Sequence, residues 1–540
     1  MVDASLTTVP QLLASTVARV GDQPALGTIS DGQLSWRTWL EIDADVRHFT
    51  AQLRQANIGA GDRVAQWAPN SYAWIVTDLA LLSLGAVHVP LHMSLAESQV
   101  GELLGLATAK LLIVDGSRSH AETLAKEADL PLLKHDELFA GKSPEPSGKK
   151  DEDGSADPLT EAEIGSEQLA TLLFTSGTTG QPRGVMLSHA NLTSNAIATS
   201  QAIGSDEKEL RLGFLPLSHI FARACDLYSW IYRGSRLVLA ESRDTVVRDC
   251  QLVGPSVING VPYFYQKIAQ KLQDTEPGTL LKLLGGKLKH CYCGGAAIAP
   301  EVETLFDRQG LRILSGYGLT ETSPVVTVTA HDDYHAGSAG RPIPDVEVKI
   351  SATGEVLVRG PCVMLGYWND PTATAETIVD GWLRTGDLGE IDASGHLHIV
   401  GREKEIIVLA TGKNVAPARV EKCLGGSPLF EHVCVVGDGR KCLGALIVPN
   451  PDTLRDEIRR QRLWVWSRRR AVTHPRIRAW FRQEMDRLLA QISAEEQVGR
   501  FAILDRNFTV EQGEITAKLS LRRKTIAANF AREIEQMYSK

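Results

Sequence analysis

The chain has 540 residues, 43% apolar and 23% charged, a balance that excludes a disordered chain and, at this length, implies two or more domains. Its formal charge of −8 gives no general pull toward nucleic acid, and no run of eighteen apolar residues is present to cross a membrane. Eight cysteines, at Cys225, Cys250, Cys291, Cys293, Cys362, Cys423, Cys434 and Cys442, are too sparse for a disulfide scaffold and suit a reducing compartment.

The opening MVDASLTTVPQLLASTV carries Asp3 and no Lys or Arg before its short apolar stretch, which is wrong for a secretory signal. A cytoplasmic protein is expected, with a peripheral contact at the inner face of the membrane and a homodimer left as options. From about Leu34 to Asp115, helical patterns alternate with short apolar runs such as Arg63 to Trp67 and Leu111 to Val114, predicting an α/β fold. The stretch from Gly141 to Gly165, GKSPEPSGKKDEDGSADPLTEAEIG, has almost nothing to bury and reads as a mobile surface segment. Leu169 to Phe174 then reads as a strand entering a Gly- and hydroxyl-rich loop.

Cys291 and Cys293 alternate with their neighbours as a strand would, and no second ligand pair follows at zinc spacing, so half-buried apolar residues are preferred to a metal site. Short β-like runs punctuated by Gly and Asp fill Gly354 to Asn414, among them Glu355 to Val358 and His396 to Val400. The remainder holds strands at Val433 to Val436 and Leu443 to Val448, Arg-rich helices, and a final helix starting near Lys524. The expected fold class is α/β, with a large multi-subdomain N-terminal domain over 1–400 and a small mobile α+β domain over 401–540. Solenoid-length repeats are absent from the sequence.

The strongest chemical signal is Thr175-Ser176-Gly177-Thr178-Thr179-Gly180-Gln181-Pro182-Arg183-Gly184. Its three glycines let backbone N–H groups approach a polyphosphate, its four hydroxyls can donate to phosphate oxygens, and Arg183 adds charge. The Gly-Lys-Ser/Thr ending of a Walker loop is missing. Further motifs follow in order: Pro216-Leu217-Ser218-His219-Ile220-Phe221, Gly294-Gly295-Ala296, Tyr317-Gly318-Leu319-Thr320-Glu321, Asp380 to Asp387, Gly401-Arg402-Glu403-Lys404, and a basic C-terminal motif. Together they resemble the adenylate-forming superfamily of acyl-CoA synthetases, firefly luciferase and nonribosomal-peptide adenylation domains, over nearly the whole chain.

The resemblance implies ATP and Mg²⁺ at one site, a carboxylic acid, and coenzyme A as co-substrate. Residues Thr175 to Gly180 with Arg183 would cradle the phosphates. Tyr317, flanked by Gly295, Ala296 and Gly318, would stack on adenine, Thr320 would hold the α-phosphate and Glu321 would bind Mg²⁺. Asp387, assisted by Arg402, would accept from both ribose hydroxyls, and His219 would lie beside the substrate carboxylate. Lys404 matches a hinge about which the C-terminal domain rotates, and Gly412, Lys413 and Asn414 match a loop brought to the thiol channel. Asp380 to Lys404 resembles the signature of fatty acyl-CoA synthetases, making a long-chain fatty acid the leading substrate. Medium-chain, aryl or other acids are alternatives, as are transfer to a carrier protein and an inactive nucleotide- or acyl-binding homologue.

Two departures stand out. Arg183 replaces the usual lysine, exchanging a compact ammonium for a planar fork. In Ile515-Thr516-Ala517-Lys518-Leu519-Ser520-Leu521-Arg522-Arg523 the family's adenylation lysine falls on Ser520, so Lys518, two residues earlier and on the same side of an extended segment, is expected to replace it. Finally, the stretch from Arg455 to Arg487 with Trp464, Trp466 and Trp480 reads first as a solvated helical face covering a small domain, with an anionic membrane or nucleic acid as the alternative contact.

Overall fold

The computed structural model describes residues 6–116, 120–139, 164–176, 182–204, 208–272, 275–411, 413–490, 492–515 and 521–539. The Gly141 to Gly165 segment therefore lies almost wholly outside the described residues.

Two large sheets organise the N-terminal part. One has seven strands in the order Gly366–Tyr367, Pro182–Ser188, Leu169–Ser176, Val87–Pro90, Arg63–Trp67, Leu111–Val114 and Leu132–Lys134. The other has nine, in the order Arg341–Pro342, Val325–Val328, Ile313–Gly318, His290–Cys293, Val257–Gly260, Leu210–Gly213, Arg236–Leu239, Pro24–Ser30 and Gln33–Thr38. From Ile313–Gly318 to Pro24–Ser30 its neighbours are parallel, and the outer pairs are antiparallel. Central parallel strands are covered on both faces. This explains why Leu111–Val114 is buried throughout and why Cys291 and Cys293, expected half-buried, are fully enclosed.

The helices begin where the sequence supplies caps. Thr8, Thr38 and Ser188 each accept from the N–H three residues on and are answered by Gln11, Glu41 and Asn191, satisfying donors that a helix start leaves open. A five-stranded sheet follows, in which Trp382–Ile391 pairs with Glu355–Arg359 on one side and Leu397–Arg402 on the other.

Buried apolar residues up to Leu397 form two clusters and those from Ile407 onward form two others. The latter enclose the sheet of Phe430–Val436, Leu443–Pro449 and Val498–Ile503, whose first two strands contain the expected runs. The final helix is two, Arg523–Asn529 and Ala531–Tyr538, separated where Phe530 turns into the core.

Candidate active site

A cavity of about 1790 Å³ opens at the carboxyl ends of parallel strands of the nine-stranded sheet, beyond Cys293 and Gly318. Open α/β sheets place ligands in such crevices. Of the residues expected at the site, Thr175, Arg183, His219, Gly295, Tyr317, Gly318, Thr320, Glu321, Arg402 and Lys404 line it. Val510, Gly513, Ile515 and Arg522, from the C-terminal region, line it too. Ala296 is exposed beside Gly295, and Lys413 is exposed away from this wall. Gly177, Thr178, Thr179, Gly180, Gly412, Lys518 and Ser520 lie outside the described residues, as does the side chain of Ser176.

The hairpin that carries the Gly-rich loop is set by register: Thr175 pairs with Arg183 and Ser176 with Pro182. Ile515 and Leu521 form an antiparallel bridge, and the Arg522 N–H donates to Glu514 O at 2.7 Å, so the described residues on either side of 516–520 meet at the cavity.

Tyr317, Asp387 and Arg402 form one cluster. Cross-strand pairing sets Asp387 opposite Arg402. Asp387, only 3% exposed, sits behind the cavity wall; its Oδ2 accepts from the Tyr317 hydroxyl at 2.8 Å and its Oδ1 lies 2.9 Å from Arg402 Nε. Burial raises the Asp387 carboxyl above its usual range and Arg402 opposes the rise; burial and then the carboxylate push the Tyr317 hydroxyl well up. Gly318 has no room for a side chain, since a Cβ there would stand 1.7 Å from Pro324 O.

Glu321 and Arg183 meet through a residue that sequence reasoning passed over. The Tyr367 hydroxyl donates to Glu321 Oε1 at 3.0 Å, and the Arg183 guanidinium lies 5.3 Å from the centre of the same ring, with its Nε 4.0 Å from Asp370 Oδ2. Local sequence carries no signal for this, because Tyr367 reaches the site only when Gly366–Tyr367 pairs with Pro182–Ser188.

On another wall the His219 ring stacks on His92, centroids 4.8 Å apart and planes 22° apart. A π-helix, Arg223–Tyr228, follows; such elements recur at functional sites. Here it sets Cys225 O to accept from Arg211 Nη1 at 2.8 Å and Asp226 Oδ1 to accept from Asn259 Nδ2 at 2.6 Å. Arg211, Asn259 and Tyr292 thus give the cavity a polar stretch among apolar residues. Burial pushes Asp226 up to about 6 against the pull of Arg211.

The Glu321 carboxylate suits a hard cation held jointly with phosphate oxygens, beside the Thr320 hydroxyl expected on the α-phosphate. Away from the cavity, Asp333, His335 and His396 bring ligand atoms within 4.8 Å of one another, but Arg341 already donates to Asp333 at 2.6 Å.

The sequence matches the AMP-binding enzyme model over residues 13–368 and the AMP-binding enzyme C-terminal domain model over 404–540. The chain belongs to the AMP-binding enzyme family. Among curated relatives, the long-chain-fatty-acid–CoA ligase FadD15 of Mycobacterium bovis is 33% identical, with 94% of this chain and 93% of that protein aligned. Feruloyl-CoA synthase of Amycolatopsis sp. is also 33% identical, over 74% of this chain and 80% of its own. The o-succinylbenzoate CoA synthetase (MenE) of Bacillus subtilis, solved with the acyl-adenylate OSB-AMP, shares the fold at a TM-score of 0.75 and 23% identity, covering 95% and 97% of the two chains. In this AMP-binding enzyme the interval between the two family matches holds Asp387 and Arg402, the pair that backs Tyr317. Among the described residues no helix is long and apolar enough to cross a membrane.

Proposed function

We propose that this AMP-binding enzyme is an acid:CoA ligase that activates a long-chain fatty acid through an acyl-adenylate. The observation that carries this reading is the shared cavity. The Thr175/Arg183 hairpin, the Tyr317 to Glu321 turn, Arg402 and the C-terminal residues Ile515 and Arg522 all face it. The names of the FadD15 relatives support the long acyl chain.

In the first half-reaction a carboxylate oxygen attacks the α-phosphorus of ATP, the bond from that phosphorus to the α,β-bridging oxygen breaks and pyrophosphate leaves. Positioning and charge neutralisation supply most of the catalysis. Tyr317 stacks on adenine, and Asp387 with Arg402 fixes the ribose. Arg183 and the hydroxyl-rich loop hold the β- and γ-phosphates. Mg²⁺, when bound, would neutralise phosphate charge; Glu321 would hold it, and Thr320 holds the α-phosphate. His219, fixed against His92, orients the acid's carboxylate, and Lys518 reaches the reacting phosphate. In the second half-reaction the coenzyme A thiol, losing its proton, attacks the acyl carbonyl and AMP departs. Between the two half-reactions a rotation about Lys404 exchanges the Lys518 segment for Gly412 and Lys413.

A second reading, an aryl or otherwise oxygenated acid, is favoured by the polar stretch at Arg211, Asn259 and Tyr292 and by the feruloyl-CoA synthase relative. The test is a thioester-formation screen of acids from acetate to stearate with several aryl acids, in the presence of ATP, Mg²⁺ and coenzyme A. Highest kcat/KM on long-chain acids supports the first reading, and highest on aryl acids replaces it with the second. AMP release independent of coenzyme A would favour an acyl-adenylate ligase serving another acceptor.

A further inference from the structure

The turn between the helices Pro451–Arg460 and Arg468–Thr473 exposes two tryptophans. Trp464 is 87% and Trp466 76% exposed, whereas the other exposed large apolar residues reach at most 47%. The turn is anchored from below: Leu463 packs on the neighbouring core and its N–H donates to Ile458 O at 3.0 Å. Trp464 and Trp466 therefore point outward from a fixed base, their rings meeting edge-on with centroids 5.3 Å apart at 75°. Trp480 behaves differently, packing against the core as a helix-face residue should.

Charge singles out the same place. From Arg462 to Trp480 there are six arginines and no acid, in a chain whose net charge is −8. The preceding helix neutralises itself, with Arg455, Arg459 and Arg460 each paired to an acid three residues earlier. Arg462, Arg469, Arg470 and Arg476 are all exposed, and among the described residues none is paired with an acid. Arg468 instead braces the turn by donating to Pro449 O and Asn507 Oδ1.

We propose that this turn docks the protein on an anionic phospholipid surface, with the two indoles in the headgroup layer and the unpaired arginines against lipid phosphates. Indoles favour that layer because an apolar ring and an N–H donor both find partners there, and clustered arginines are attracted to anionic lipid. Single-stranded nucleic acid fits less well. It needs open ring faces on which bases stack, and here the edge of one indole is turned against the other. The preceding helix, its arginines paired within it, fits a solvated face; the proposal gives this turn the alternative membrane contact instead. The inference is independent of which acid the enzyme activates.

The test uses the full-length protein and phosphatidylcholine vesicles with and without phosphatidylserine, sedimented at physiological salt. The wild-type protein should bind the phosphatidylserine vesicles, weaken with added salt, and resist competition by a single-stranded oligonucleotide. The double variant Trp464→Ser/Trp466→Ser should lose about tenfold or more of that binding. The quadruple variant of Arg462, Arg469, Arg470 and Arg476 to Gln should abolish the preference for phosphatidylserine. Because the altered residues are exposed, thermal melting and acyl-adenylate formation in detergent should be unchanged in both variants, which separates a lost surface from a lost fold. Absence of sedimentation with either vesicle, or binding indifferent to the tryptophans, overturns the proposal. Displacement by the oligonucleotide replaces it with a nucleic-acid surface.

Discussion

The hydroxyl of Tyr317 donates to one oxygen of Asp387 at 2.8 Å while Arg402 holds the other at 2.9 Å, so the proposed adenine and ribose contacts are tied together before any nucleotide binds. Asp387→Ala would strand a buried hydroxyl and unpair a guanidinium. Hydrogen bonds to charged groups are worth about 1.5–3 kcal/mol each, so adenylate formation should fall about a hundredfold or more, mainly through the KM for ATP. Tyr317→Phe keeps the ring and should cost only about tenfold. Steady-state kinetics in ATP check both, and a wild-type KM in Asp387→Ala would contradict the ribose assignment.

Glu321 shares a hydrogen bond with Tyr367 at 3.0 Å. Glu321→Gln keeps the size of the side chain and the hydrogen-bonding capacity but removes the charge a divalent cation needs. The Mg²⁺ concentration giving half-maximal rate should rise about tenfold or more, whereas Tyr367→Phe should raise it less. A Mg²⁺ titration at saturating ATP distinguishes the two, and an unchanged requirement in Glu321→Gln would remove the metal role.

Lys518→Ala should lower acyl-adenylate formation at least about a hundredfold, the scale expected when a charge on the reacting phosphate is lost. Thioester formation from preformed acyl-adenylate should be retained, because that half-reaction uses the rotated domain. The double variant Lys518→Ala/Ser520→Lys should recover much of the first rate. If Lys518→Ala changes neither half-reaction, another cation does this work.

Acid should destabilise the large domain above the carboxylate range. Burial pushes His88, His135 and His189 down to about 4 from an ordinary 6.5. Between those values the unfolded chain binds protons that the native chain refuses, so the stabilisation is complete above pH 6.5 and is lost as pH falls toward 4. Each contributes roughly 3 kcal/mol at most. Calorimetry between pH 7 and 4 should show Tm falling, with the raised Asp226 carboxyl opposing part of the fall, and His135→Gln should make the fall shallower. A flat Tm across that window would contradict the burial of these rings.

Much of the frame was legible in the sequence where one short segment decided its own fate. Arg63 to Trp67 and Leu111 to Val114 are strands with the expected ends, because each is a short apolar run that pairs on both sides. The Tyr317 to Glu321 motif was legible only through its resemblance to a family motif standing in order with the others. What escaped depends on distant partners. Tyr367 meets Glu321 across 46 residues, and the buried Asp78 is shared by His88, Arg223 and Tyr228, the last two about 150 positions away. No local pattern encodes such meetings. The break at Phe530 was likewise invisible, because a helical pattern does not reveal where tertiary packing interrupts it.

Acid-dependent exchange of labelled pyrophosphate into ATP tests the central claim most directly, since it requires ATP, Mg²⁺ and a carboxylate to react in one cavity and needs no coenzyme A. The account predicts exchange with the preferred acid, none without acid, and release of AMP once coenzyme A is added. Purified, folded protein that binds ATP and catalyses no exchange with any acid, from acetate to stearate and the aryl series, would contradict it.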